Sequence, residues 1–246
     1  MMDAMPLILF LGLFILLLFG FPVAFTLGGF SIIIGYLALG LDFFNFLPLR
    51  IWGVMTNYVL IAVPLFIYMG VMLEKSGLAE NLLETMGLLF GRLRGGLAIS
   101  VVFVGALLGA STGIVGATVV TMGLLSLPTM LKRGYSPELS TGTISASGTL
   151  GQIIPPSIVL VLLGSVLNVS IGDMFVGAAI PGFILVFLYI IWIISIAVAR
   201  PDWAPPMPEK DLDQFRGMAR LKRMVQAFFL PLLLIVVVLG SIFAGI

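Results

Sequence analysis

The sequence predicts an all-α, polytopic membrane protein, and three observations carry that reading. The first is composition. Residues of the AVILMFWYC set make up 61% of the 246 positions and charged residues 9%, whereas soluble domains sit near roughly 45–50% and about 25%. So few charges cannot cover a water-exposed surface. The second is that the charges fall in groups and leave uncharged stretches at 4–41, 51–73, 95–131, 139–172, 174–199 and 224–246. The third is that 95–131 and 139–172 are too long for one crossing and short for two. Each also carries helix breakers at its centre.

Composition also narrows the function classes. There is no cysteine and no histidine, and the formal net charge is +1. Disulfides, thiolate metal sites and the commonest general base are absent, and nothing points to nucleic acid. No Asp, Glu, Lys or Arg falls inside these stretches, so a relay of buried carboxylates is unsupported. An enzyme is not expected, and no organic cofactor is implied.

A crossing needs roughly 20 apolar residues. The opening Met1-Met2-Asp3-Ala4-Met5-Pro6 has no basic region, and the apolar run behind it outlasts a signal core. It reads as the first span rather than a cleaved leader. Stretch 4–41 holds two helices folded at Gly20-Phe21-Pro22, and 51–73 reads as one crossing. Residues 75–94 place Leu78, Leu82, Met86, Leu89 and Leu93 on one stripe, with Glu80, Glu84, Arg92 and Arg94 elsewhere. That pattern suits an amphipathic helix along the interface. Stretches 174–199 and 224–246 fit one crossing each. Between them, 201–223 starts with Pro201, Pro205, Pro206 and Pro208 and ends with Arg216, Arg220, Lys222 and Arg223. It reads as a loop and then a basic surface helix. Trp52, Trp192 and Trp203 suit interface anchors.

The organisation that follows has scaffold helices at 1–74, the interfacial helix at 75–94 and a transport-type region at 95–172. That region comprises a re-entrant hairpin (95–131) and a broken helix (137–170). A spanning helix at 173–200, the loop and surface helix at 201–223 and a further helix at 224–246 complete it.

Lys and Arg mark the cytoplasmic side. They concentrate at Arg92 and Arg94, Lys132 and Arg133, Arg200, and Arg216 to Arg223, while 41–49 and 169–173 have none and read as external. The N-terminus is then expected outside. Basic pairs flank 95–131 at both ends. Two arms of about 15–18 residues reach only roughly 22–27 Å, short of a core of about 30 Å, so a re-entrant hairpin with its tip at Ser111-Thr112-Gly113 is expected. The last helix echoes the first: Pro6 precedes Gly20 and Pro231 precedes Gly245 at the same interval. The two copies point in opposite directions, as an inverted repeat requires. On this reading 224–246 opens a second repeat that is cut short.

Irregular backbone at membrane depth is tolerated only against protein or a polar cavity. The breaks are Gly109-Ala110-Ser111-Thr112-Gly113 and the block from Ser147 to Ser157. In transporters such breaks coordinate ions: freed carbonyls and half-helix C-termini face a cation, and half-helix N-termini face an anion. Candidate sodium ligands are Ser111, Thr112 and Gly113 at one break, and Ser145, Ser147, Gly148 and Gly151 at the other. Glycine permits close approach and positive φ. Candidate substrate-facing groups are Gln152, which offers an amide, together with Pro155, Pro156 and Ser157. Pro155 and Pro156 leave carbonyls a turn earlier free. The competing reading is close packing, since Gly105-Ala106-Leu107-Leu108-Gly109 is a small-xxx-small seam.

The runs Gly109 to Gly113 and Ser145-Ala146-Ser147-Gly148-Thr149-Leu150-Gly151-Gln152-Ile153-Ile154-Pro155-Pro156-Ser157 resemble the DctM-type large membrane subunit of tripartite ATP-independent periplasmic (TRAP) transporters. Gly20-Phe21-Pro22-Val23-Ala24 and Val63-Pro64-Leu65-Phe66 are similar to that family as well. The resemblance covers essentially the whole chain. It implies an ion-transporter-type elevator fold in the bacterial inner membrane, of which this is the first inverted repeat. It also implies sodium-driven import of a small organic acid, delivered by a periplasmic binding protein, with a small membrane subunit and lipid as partners. The second hairpin and second unwound helix of that pattern are missing from this sequence. A sodium–anion symporter without a binding protein and a non-transporting scaffold subunit are the alternatives. Sialic acid, dicarboxylates and keto acids are all open as substrates.

Overall fold

Backbone in hydrocarbon must close its own hydrogen bonds, and helices do so within one segment. The computed structural model describes residues 5–113, 115–208 and 218–244, and among them there is no strand. The side chains at 74, 111, 112, 218–224, 226 and 230 lie outside that description. The chain divides into two compact units, Met1–Asn57 and Tyr58–Ile246.

In the first unit, α1 (Met5–Leu18) and α2 (Val23–Leu39) are joined across Gly20-Phe21-Pro22. Gly20 has φ +80°, a conformation that favours glycine, and Pro22 caps α2. Both helices are apolar all round and leave most side chains exposed, which suits lipid rather than water. The third helix differs from the sequence reading, which leaves 41–49 outside a span and starts a crossing at 51. Instead α3 (Asp42–Met55) runs through Arg50 and ends at Thr56. There the Thr56 N–H and hydroxyl both donate to the Trp52 carbonyl, at 2.9 and 2.8 Å. Asp42 in the first turn suits the helix dipole. Arg50 is an exposed helical residue rather than a boundary mark.

The second unit comprises α4 (Tyr58–Lys75), α5 (Leu78–Phe90), α6 (Gly96–Thr112), α7 (Val115–Lys132), α8 (Pro137–Thr149), α9 (Ile158–Leu167), α10 (Ile171–Ala199) and α11 (Met218–Ala244). Its centre is α6, which carries no charge and packs against α4, α5, α7, α8, α10 and α11. A helix apolar on every side is one buried on every side, and Val101, Val102 and Val104 are fully enclosed. On α5, Leu82 and Met86 of the expected stripe are buried in this same core, while Glu80 and Glu84 are exposed. Its apolar face is therefore covered largely by protein, and Leu93 at the end of the expected stripe is exposed. At the C-terminal side, the expected boundary between a basic surface helix and a span does not exist. Arg220, Lys222 and Arg223 lie within the first turns of α11, which continues without a break to Ala244. No breaker precedes Pro231, so nothing ends the helix at 223. Arg216 and residues 209–217 as a whole lie outside the described residues.

Among single helices, α7, α10 and the 227–244 part of α11 are long and apolar enough to cross a membrane. The arrangement of α6 to α10 follows from a few contacts. Leu97 N–H donates to the Tyr135 hydroxyl at 3.2 Å, so the start of α6 sits beside the end of α7. The two helices form a hairpin. Along α6, Gly105, Gly109 and Gly113 meet Ser147, Gly151 and Ile158 in the same order. Hence α6 runs parallel to the path through α8 and α9, and α7 runs back against it. At its start α6 meets Ile193 and Ala197 of α10 through Gly95, while Gly182 of α10 faces Ile153 and Ile154. The 29-residue α10 is about 43 Å long, and Gly182 lies about 26 Å from its C-terminal end. The hairpin tip therefore stops partway along α10.

The wide end of the hairpin, its base, is tied by a strap. Residues after α10 form a short 3-10 turn (Pro201–Trp203) and then extended chain. The Ala204 and Trp203 carbonyls accept from Gly95 and Ser136 N–H, each at 3.0 Å, and Met207 N–H donates to the Gly91 carbonyl at 2.7 Å. Ala204 is wholly buried. Arg92, Arg94, Lys132, Arg133 and Arg200 consequently gather at this one end of the unit.

Among the described residues, one buried side-chain group lacks a partner. Ser126 of α7 is fully enclosed, and its hydroxyl has no hydrogen bond. Ser126→Ala removes a desolvated hydroxyl without leaving a void, so a gain of about 1 kcal/mol is expected, read as a higher melting temperature in detergent. A lower one would show that the hydroxyl is satisfied in the membrane.

Candidate functional site

The hairpin tip and the helix break lie against each other. α8 begins with Ser136 as N-cap, accepting from Leu139 N–H at 3.2 Å, and Pro137 in its first turn. It ends at Thr149. A single 3-10 turn (Leu150–Gln152) follows, then non-helical chain to Ser157. Ser157 starts α9: its hydroxyl donates to the Gln152 carbonyl at 2.8 Å and accepts from Leu160 N–H at 3.4 Å. This one side chain stitches both edges of the break.

Four helix ends converge here. α6 and α8 bring their C-termini, at Thr112 and Thr149, and α7 and α9 their N-termini, at Val115 and Ile158. C-termini carry partial negative charge and N-termini partial positive charge. Neighbouring ends of both kinds can serve a cation and an anion side by side. Among the described residues no three acidic or histidine side chains cluster as metal ligands. The oxygens on hand at the break are hydroxyls, the Gln152 amide and backbone carbonyls.

The predicted residues separate into different roles. Gly113 closes α6 at φ +62°, donating to the Gly109 carbonyl at 2.8 Å, and its Cα faces Ile158. The backbone of Ser111 and Thr112 ends α6, and their side chains are not among those described. Ser147 is fully buried at the α6 crossing, and its hydroxyl donates to the Ile144 carbonyl at 3.1 Å. Gly148 is buried against Val119 of α7, and Gly151 against Gly109. Neither has positive φ, so both are glycines for close approach, not for backbone conformation. Pro155, Pro156 and Ser157 are buried, leaving Gln152 as the exposed member of the substrate-facing set. The carbonyls expected to be free before the prolines are partly taken: Leu150 O accepts from Ile153 and Ile154 N–H at 3.0 Å each, and Gln152 O accepts from Ser157.

Ser145 points away from this seam and is exposed, in line with Thr141, Thr149 and Gln152. Thr141 and Thr149 turn their hydroxyls back to the Pro137 and Ala146 carbonyls at 2.8 and 2.7 Å. Sequence reasoning missed this polar stripe, although the spacing 141, 145, 149, 152 places it on one helical face.

A central helix, a helical hairpin and a broken helix, set among apolar spans, define a multi-pass helical membrane protein. Residues 10–246 match the model of the tripartite ATP-independent periplasmic transporter, DctM component, and the chain belongs to that family. It is 34% identical over 81% of its length to the C4-dicarboxylate TRAP transporter large permease protein DctM of Pseudomonas aeruginosa, covering 45% of that protein. It is 32% identical over 94% to the ectoine TRAP transporter large permease protein TeaC of Halomonas elongata, covering 52%. To the sialic acid TRAP transporter large permease protein SiaM of Vibrio cholerae it is 29% identical over 94%, again covering 52%. The chain thus spans about half the length of these relatives. Their named substrates differ at similar identity, so membership alone does not set the substrate.

Proposed function

We propose that this chain is part of the large subunit of a sodium-coupled importer of a small organic acid in the bacterial inner membrane. It would work with a small membrane subunit and a periplasmic binding protein. The observation that carries the reading is the meeting of two helix C-termini and two N-termini where hairpin and break touch. A sodium ion at the C-termini of α6 and α8 would draw on Ser111, Thr112 and Gly113 and on the Ser145, Ser147, Gly148 and Gly151 segment. A carboxylate would face the N-termini of α7 and α9, near Gln152. The C4-dicarboxylates, ectoine and sialic acid of three relatives' names carry a carboxylate, and the isethionate of a fourth is a sulfonate, so each name gives an anionic group that helix N-termini suit. Neutral oxygens give weak, reversible binding, as a coupling ion released in every cycle requires.

The test is sodium-dependent uptake by the complete transporter. Ser147→Ala keeps the carbonyl and should raise the half-saturating sodium concentration a fewfold. Gln152→Ala should instead raise the substrate KM and leave the sodium response intact. Unaltered sodium dependence in Ser147→Ala and Ser145→Ala would remove both side chains from the sodium site and leave Ser147 a packing residue.

The hairpin is proposed to be re-entrant, as its tip reaching only partway along α10 supports. Cysteines replacing Arg92 and Lys132 should then both label from the cytoplasm and neither from outside. Labelling from opposite faces would end this reading.

A further inference from the structure

Between α8 and α10, over a floor of Val102 from α6, lies a groove of about 450 Å³. Tyr189 and Trp192 of α10 face Gly142 and Ala146 of α8 across it. Gly142 has no atom within 4 Å of where a Cβ would stand, so the groove is open there. At the base end its mouth is formed by Glu138 and Trp203, and the Arg200 guanidinium sits 4.2 Å over the Trp203 ring. Glu138 and Arg200 are both exposed.

We propose that this groove binds one acyl chain of a zwitterionic aminophospholipid, its ammonium at Glu138 and its phosphate at Arg200. The size argues for a chain. A crossing helix about 10 Å wide could lay only side chains into it, whereas a single extended acyl chain can lie within it. The position argues for a lipid. Trp203, beside Arg200, lies at the end where five basic residues mark the water boundary, the level at which tryptophan meets headgroups, and Trp192 lies about two turns further along α10. The charges argue for the headgroup class. An ammonium and a phosphate on one short headgroup match the Glu138 carboxylate at the mouth and the Arg200 guanidinium held over Trp203, which lines the same mouth. A purely anionic headgroup would meet Glu138 unfavourably. Nothing in this inference depends on the transport reading.

The experiment is native mass spectrometry of the full transporter, extracted from membranes holding phosphatidylethanolamine and phosphatidylglycerol. Wild type should retain one phosphatidylethanolamine. Gly142→Phe, which fills the groove, should lose it. Glu138→Gln should retain both lipids alike. Should Gly142→Phe fail to fold, Glu138→Gln and a photo-crosslinker at Trp192 decide. Crosslinking to lipid is expected, and crosslinking to a polypeptide overturns the proposal. Equal retention of phosphatidylglycerol by wild type, or an adduct that survives in Gly142→Phe, also overturns it.

Discussion

Gly109→Leu should prevent the hairpin from seating on the broken helix and so unfold the second unit. A Cβ at Gly109 would lie 2.6 Å from the Gly151 Cα and 2.7 Å from its nitrogen. Those atoms are backbone, so no rotamer change relieves the clash. The two chains would have to separate, undoing the seam from Gly105–Ser147 to Gly113–Ile158. Overpacking normally costs roughly 1–3 kcal/mol, and with backbone on both sides at least about 3 kcal/mol is expected here. In a membrane the loss is acute, because helix association rests on close packing rather than on hydrophobic exclusion. Gly177→Leu is the control. It replaces a glycine of α10 that is exposed and has no atom within 4 Å of an added Cβ. Melting of the detergent-purified transporter, followed by size-exclusion chromatography, should show Gly109→Leu aggregated and Gly177→Leu near wild type. A Gly109→Leu protein that melts normally would mean that α6 and the break do not touch.

The same seam shows what could be read from the sequence. The turn at Gly20, the hairpin tip at Gly113 and the break around Pro155-Pro156 were legible because each is marked by a residue with unusual backbone preferences: glycine admits the positive φ seen at Gly20 and Gly113, and proline fixes φ and lacks an N–H. The ends of α3 and α11 were not. Arg50, Arg220, Lys222 and Arg223 all lie inside helices, since a charge reports where water or headgroups lie and not where hydrogen bonding stops. In the candidate site the residue types were legible but their directions were not. Ser145 and Ser147 are two positions apart, so they point about 200° from each other on a helix. One faces outward and the other is sealed against Gly105. Only the register of α8 on α6 decides which. The strap was illegible for a different reason: it bonds main chain to main chain, and a proline-rich loop carries no side-chain signal for such partners.

Tyr135→Phe should loosen the base of the hairpin by about 1–3 kcal/mol, the cost of leaving a buried donor unmet. The first N–H groups of α6 have no partner within their own helix. Gly95, its N-cap, has no side chain, and Tyr135 supplies the acceptor from the α7–α8 loop. Phenylalanine keeps the ring in its buried site and removes only the oxygen, so a loss reports the cap and not a cavity. Burial pushes the Tyr135 phenol above the ordinary tyrosine value, although hydrogen bonds from Leu97 and Ala98 N–H and the Arg133 charge pull the other way. The sign of the pH effect follows. A group with a raised folded pKa holds its proton longer in the folded state, so its contribution is complete below the unfolded value, about pH 10. It is lost as pH rises through the folded one. Wild type should therefore lose stability above about pH 10 more steeply than Tyr135→Phe. Melting temperatures measured between neutral and strongly alkaline pH should converge for the two proteins at the alkaline end. Parallel curves, or equal stability at neutral pH, would remove Tyr135 from its place as the cap of α6.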